Sequence, residues 1–342
     1  MKAMVLEKTH RFNDNPEPLR LTDVPTPEIS DREILLKVRI CGVCHTELDE
    51  IEGRTPPPVY PMILGHQVVG EVVEMGRGAR IHALGSRIGV GWIYASCGKC
   101  PYCLRGDDNL CADFLATGRD APGGYAEFMK VPEDSAIPIP DVYTDSEAAP
   151  LLCAGAIGYR SLRLTNLKDG DRIGLTGFGA SGHLVLKMVA HLFPNTDVYV
   201  FARSEKEQIF ARELGAVWAG DTTETSPEKL NSIIDTTPVW KPVVEALDNL
   251  MPGGRLVINA IRKEDVDKDE LLRIDYPRDL WMEKEIKSVA NVAKRDISEF
   301  LKLAAEIPIK PDYEEFDLKD ANIALNELKN RKIRGAKVLV IG

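Results

Sequence analysis

Hydrophobic positions follow two different rhythms along the chain. Over roughly the first 150 residues they come as short β-branched runs, Ile34 to Ile40 and Gln67 to Val73, bounded by turn formers, which predicts short strands joined by loops. Pro56, Pro57, Pro58 and Pro61 predict a rigid surface loop between them. Near residue 150 the rhythm changes. Ser146 to Leu164 reads as a helix rich in small residues, followed by a strand at Arg172 to Thr176, a helix at Gly182 to Leu192, a strand at Val198 to Phe201 and a helix at Glu205 to Leu214. Ile233 to Asp235, Arg255 to Ile258 and Ile286 to Val289 supply later strands. Strands alternating with helices predict a doubly wound parallel α/β sheet. A helix at Ile297 to Glu306 and a strand at Lys337 to Ile341 end the chain, and periodicity leaves open which sheet that strand joins.

A length of 342 residues favours two domains over one. A hydrophobic share of 44% and a charged share of 28% are those of a globular protein, and the net charge of −10 argues against nucleic acid as a partner. The first residues lack the apolar run of a signal peptide, and no stretch is apolar enough to span a bilayer, so the expectation is a cytoplasmic protein without membrane contact. Seven cysteines, four of them close together, favour metal binding over disulfides in that compartment.

The cluster Cys97, Cys100, Cys103 and Cys111 has the spacing C-x2-C-x2-C-x7-C. Three thiolates at two-residue gaps wrap one ion and a fourth closes a tetrahedron, the pattern of structural zinc. Free thiols are the bland alternative. An iron–sulfur site would continue x3-C-P, which this chain does not. Cys44, His66 and Cys153 are further candidate ligands for an open, catalytic zinc. Spacing alone does not join them: Cys153 also reads as packed core, His66 as a satisfied buried histidine, and Cys41 with Cys44 as a redox pair.

Gly177, Gly179 and Gly182, with Ala180 and Ser181 between the last two, form G-x-G-x-x-G between a strand and a helix. That context fits a dinucleotide pyrophosphate on a helix N-terminus, against the alternative of a plain βα turn. About twenty residues on, where a carboxylate would hold the 2′-hydroxyl of NAD(H), stand Arg203 and Ser204. An arginine there pairs with a 2′-phosphate, so NADP(H) is favoured, although a solvated surface arginine would look the same.

In order along the chain, the C-G-V-C-H-T segment at 41–46, Gly65-His66 with its apolar continuation, the four-cysteine lobe, Leu152-Cys153-Ala154-Gly155 and the glycine turn resemble the zinc-containing medium-chain alcohol dehydrogenase family over essentially the whole chain. Within it the chain is most similar to bacterial and archaeal alcohol/aldehyde reductases, some of them cinnamyl-alcohol-dehydrogenase-like. The resemblance implies a mainly-β GroES-like catalytic domain from residues 1–150 and 291–342, which takes the terminal strand, and a Rossmann domain over 151–290. It implies two zincs per chain, one catalytic on Cys44, His66 and Cys153 and one structural, and a homodimer or homotetramer joined through Rossmann edge strands. Thr46 matches the hydroxyl at the substrate oxygen, His45 a contact to the cofactor phosphate, and Glu47 an acid that orients the zinc histidine. Two positions depart from the family: Gln67 stands where a glutamate is usual, and Asp49 where several relatives carry a histidine that passes protons to solvent; the expectation is that the proton passes from Thr46 towards Asp49 or His45, with Asp49 accepting it itself or water relaying it. Rival expectations are a sugar or polyol dehydrogenase, a zinc-free quinone or enoyl reductase, and a non-catalytic nucleotide-binding protein. Trp92, Ile93, Tyr94, Leu115 and Ile261 are candidates for a pocket wall, and equally for core or surface.

Overall fold

A computed structural model of the chain describes residues 1–179, 181–307, 309–330 and 335–342. It divides into two compact units, Met1–Cys153 with Val292–Gly342, and Ala154–Asn291. Among the described residues no helix is long and apolar enough to cross a membrane.

The first unit is built on a seven-stranded, mostly antiparallel sheet. Its longest strand, β1 (Glu33–Val43), lies between β2 (Val68–Met75) and the terminal strand Ala336–Val340, antiparallel to both. The end of the chain therefore joins the sheet built by its first part. Flanked on both edges, β1 buries nearly every side chain. Leu36, Val38, Val68, Ile88, Tyr125 and Leu339 pack in one core cluster. A short helix, α1 (His45–Ile51), follows β1 directly.

The helix expected from Ser146 to Leu164 is helical but not continuous. It consists of α2 (Asp145–Pro150), a π turn at Leu151–Gly155, and α3 (Ala156–Thr165). Pro150 lacks the N–H that would continue the ordinary ladder, and the wider turn begins at the next residue. The first unit ends inside that turn, at Cys153.

The second unit holds a six-stranded sheet of wholly parallel pairings. Its successive elements are β3 (Arg172–Thr176), α4 (Gly182–Leu192), β4 (Asp197–Phe201), α5 (Glu205–Glu213), β5 (Leu230–Asp235), α6 (Lys241–Asn249) and β6 (Leu250–Ile258). Across the sheet the order is Trp218–Gly220, β4, β3, β5, β6, Glu285–Ser288. Numbered within the unit, that is 3-2-1-4-5-6, the doubly wound order whose ligand crevice lies at the carboxyl ends of β3 and its neighbours. Tyr199, Phe201, Ile233, Val243, Leu247 and Leu256 pack in its core.

Candidate functional site

Cys44, His66 and Cys153 come together in the first unit from three separate places in the sequence, with their ligand atoms within 4.8 Å of one another. Cys44 sits between the end of β1 and the start of α1. His66 follows Gly65, whose φ of +98° and missing Cβ are both needed. A side chain there would meet the Tyr125 ring at 2.4 Å and Cys41 Sγ at 2.8 Å. Cys153 projects from the π turn, a distortion often found at functional sites. His66 Nε2 lies 3.4 Å from Cys153 Sγ.

One carboxylate fixes two of these groups. Glu47, fully buried in α1, accepts the Cys44 backbone N–H at 2.8 Å on Oε2 and faces His66 Nδ1 at 2.6 Å with Oε1. That contact sets Nδ1 against the carboxylate and leaves Nε2 on the side of Cys153 Sγ, the orientation usual for a ligand histidine. Of the three groups, Cys44 is the one most readily ionised. The hydrogen bond from Cys153 and the nearby His66 hold the Cys44 thiol well below its ordinary value, and the same bond raises Cys153. Burial works against a charged His66, but Glu47 and Cys44 outweigh it and raise His66 well above the ordinary imidazole range. Two sulfurs and one imidazole supply three of the four positions around zinc and leave one open.

Around this set, Thr46 Oγ1 lies 3.6 Å from Cys44 Sγ, and His45 beside it is exposed. Gln67 is buried with its amide against Gly42, where a Cβ would meet Gln67 Oε1 at 2.3 Å. Asp49 is buried and ion-paired with Arg54, an engaged carboxylate rather than one open to solvent. Trp92 sets its ring edge-on to His66 with centroids 5.1 Å apart, whereas Ile93 and Tyr94 are buried and Leu115 and Ile261 are exposed. Sequence reasoning passed over Glu50. It is fully buried, neither carboxylate oxygen has a hydrogen-bond partner among the described residues, and burial followed by the neighbouring Glu47 pushes its carboxyl well up. A glutamate on so polar a helix gives no signal that it faces inward.

Cys97, Cys100, Cys103 and Cys111 form the second group, their sulfurs likewise within 4.8 Å. Backbone N–H groups of Lys99 and Cys100 draw the Cys97 thiol down to about 6, so thiolate is available at neutral pH. Four soft donors with no open position suit a structural ion.

In the second unit, Gly177 (φ +81°) turns the chain out of β3, and a Cβ there would meet Thr236 Oγ1 at 2.6 Å. At Gly179 a Cβ would meet nothing within 4 Å, the open approach a pyrophosphate needs. Ser181 Oγ donates to Ala154 O at 3.2 Å. Ala180 lies outside the described residues. Arg203 is exposed just past β4, and Ser204 caps α5 by accepting the Glu207 N–H at 3.2 Å.

Comparison with known proteins agrees with this geometry. The alcohol dehydrogenase GroES-like domain family matches residues 30–141. A probable alcohol dehydrogenase, AdhA, of Mycobacterium tuberculosis is 39% identical over 346 residues, covering 100% of this chain and 97% of its own. An alcohol dehydrogenase of Geobacillus stearothermophilus is 32% identical, covering 99% and 98%. In fold, a thermostable alcohol dehydrogenase of Pyrobaculum aerophilum solved with cobalt and zinc bound superposes with a TM-score of 0.85 at 23% identity, covering 99% of both chains. The 39% identity to the mycobacterial AdhA over the whole chain, with the two cysteine-bearing clusters and the parallel sheet, places the chain in the zinc-containing medium-chain alcohol dehydrogenase family.

Proposed function

We propose that this chain is a zinc-dependent alcohol dehydrogenase and aldehyde reductase that exchanges a hydride between a small alcohol or aldehyde and NADP(H). The observation that carries this reading is the convergence of Cys44, His66 and Cys153, with Glu47 locked behind the histidine. Bound zinc supplies Lewis acidity, which lowers the pKa of an alcohol hydroxyl and polarises a carbonyl. The dinucleotide supplies or takes the hydride.

The chain's own residues do the rest. Glu47 holds the His66 tautomer through Nδ1, so that Nε2 is the ligand atom. Thr46 Oγ1, 3.6 Å from Cys44 Sγ, takes the alcohol proton and returns it in the reverse direction. Exposed His45 passes that proton towards solvent and meets the cofactor phosphate. Asp49, buried and ion-paired with Arg54, is the alternative acceptor of that proton. Cys97, Cys100, Cys103 and Cys111 hold the structural zinc. The open face of Gly179 and the N-terminus of α4 receive the pyrophosphate, and Arg203 pairs with the 2′-phosphate. The assembly is a homodimer or homotetramer.

Zinc per chain, followed by oxidation of NADPH and NADH with aliphatic and aromatic aldehydes, tests this reading. Two zincs and faster turnover of NADPH are expected. Cys44→Ser should lose one zinc and at least about a hundredfold in turnover, the order expected when a metal ligand is removed. One zinc in the wild type with no turnover on any aldehyde would overturn the proposal. Arg203→Ala should weaken NADPH about tenfold and leave NADH nearly unchanged, since only a 2′-phosphate needs the guanidinium.

A further inference from the structure

At the carboxyl edge of the parallel sheet, the segments leaving β5 and β6 are fastened to each other around one buried lysine. Lys263 Nζ, its side chain 7% exposed, is ion-paired with Asp235 at the end of β5, whose side chain is fully buried. The same ammonium donates to the carbonyls of Thr237 at 2.7 Å and Val239 at 3.0 Å, so all three of its protons are used. Asp235 Oδ1 accepts the Thr237 hydroxyl at 2.8 Å. Two backbone bonds run alongside, Asn259 N–H to Asp235 O and Glu264 N–H to Pro238 O, both at 2.7 Å.

The segment held this way supports the glycine turn. Thr236 donates from its backbone N–H to Thr176 O at 2.9 Å, and from its hydroxyl to Thr176 O at 3.0 Å and Gly177 O at 3.3 Å. Gly177 has no room for a Cβ because Thr236 Oγ1 and Thr237 Cγ2 occupy that space. The position of the turn that faces the ligand crevice is therefore set by Thr236 and Thr237, and theirs by Lys263. A buried ion pair gains little stability over a well-packed apolar pair, because desolvation offsets the attraction. What it supplies is direction: three fixed hydrogen bonds from one point.

We propose that Lys263 is a positioning residue for the dinucleotide, fixing the Thr236–Val239 segment on which the Gly177 turn rests. This rests on the dinucleotide reading given above. Because binding can be followed without turnover, the two can be tested apart, by titration calorimetry of the intact zinc-loaded chain with NADPH. Lys263→Met should raise the Kd for NADPH about tenfold, with kcat at saturating NADPH within about twofold and zinc content unchanged, since the interaction lost serves binding rather than the chemical step. Lys263→Met also leaves Asp235 buried without its partner and lowers the melting temperature. The double variant Asp235→Asn/Lys263→Met removes that charge and should recover stability while the Kd stays high. A wild-type Kd in Lys263→Met, or a Kd that returns to the wild-type value with the melting temperature in the double variant, would overturn the inference and leave the proposed function standing. If the wild type binds neither NADPH nor NADH, the proposed function falls and this inference with it.

Discussion

Glu47 has more influence on the proposed metal site than its size suggests, because it touches two of the three candidate ligands at once. It accepts the Cys44 N–H on one oxygen and faces His66 Nδ1 with the other. Glu47→Gln keeps the shape and one acceptor oxygen but brings an amide N–H₂ that cannot serve both partners, and it removes the charge that makes the imidazole a strong donor. We expect zinc affinity and turnover to fall by about 10- to 100-fold, the range for loss of a group hydrogen-bonded to a metal ligand, with the fold intact. Chelator competition at the catalytic site measures this. An unchanged zinc affinity would mean that His66 is oriented by its packing against Trp92 instead. Gln67 is neutral, and burial followed by the neighbouring Glu47 pushes the Glu50 carboxyl up towards its neutral form, so of these three side chains Glu47 is the one that faces His66 with a carboxylate.

At the scale of elements, α2 delivers Cys153, and its start is fixed by a reciprocal cap. Glu147 accepts the Thr144 N–H at 2.8 Å, Thr144 Oγ1 accepts the Glu147 N–H at 3.2 Å, and Lys310 Nζ binds the carboxylate at 2.9 Å. The Thr144 N–H, then Lys310, hold the Glu147 carboxyl below its ordinary value. A carboxyl depressed in the folded state stabilises it above the unfolded value of about 4.3, and that contribution fades as pH falls through the lower folded value. Glu147→Ala should therefore cost about 1 kcal/mol at pH 7, and the gap to the wild type should narrow as unfolding is measured at progressively lower pH. A gap that stays constant would assign the loss to packing alone. The sequence disclosed such elements unevenly. The β-branched runs that became β1 and β2 were legible because short apolar, β-branched stretches bounded by turn formers leave few other solutions. The four-cysteine lobe was legible because all its ligands lie on one short loop. The π turn was not, since Leu151 to Gly155 fits a regular helix equally well on apolar spacing. The set Cys44, His66 and Cys153 was legible only through resemblance to relatives, because what joins those residues is tertiary. Glu50 and Lys263 gave no signal at all, as burial of a charged side chain depends on partners that lie elsewhere in the chain.

For the molecule as a whole, both cysteine-bearing clusters belong to the first unit and the glycine turn to the second, each unit with its own packed core. Metal binding and dinucleotide binding should then be separable. Cys97→Ser leaves three thiolates around the structural position and should release one zinc per chain. Because such an ion stabilises only the fold that assembles its ligands, the melting temperature should drop on the order of 10 °C. The residues proposed for the dinucleotide, Gly177, Gly179, Arg203 and the α4 N-terminus, belong to the second unit, so the Kd for NADPH measured well below the new transition should stay within about twofold of the wild type. Calorimetric scans with and without NADPH sharpen the comparison: saturating dinucleotide should raise the stability of the variant as much as that of the wild type, because linkage depends only on the affinity of the folded form. A Kd that weakens in step with zinc loss would show instead that the cysteine lobe takes part in shaping the nucleotide site, and the two units would have to be treated as one cooperative structure.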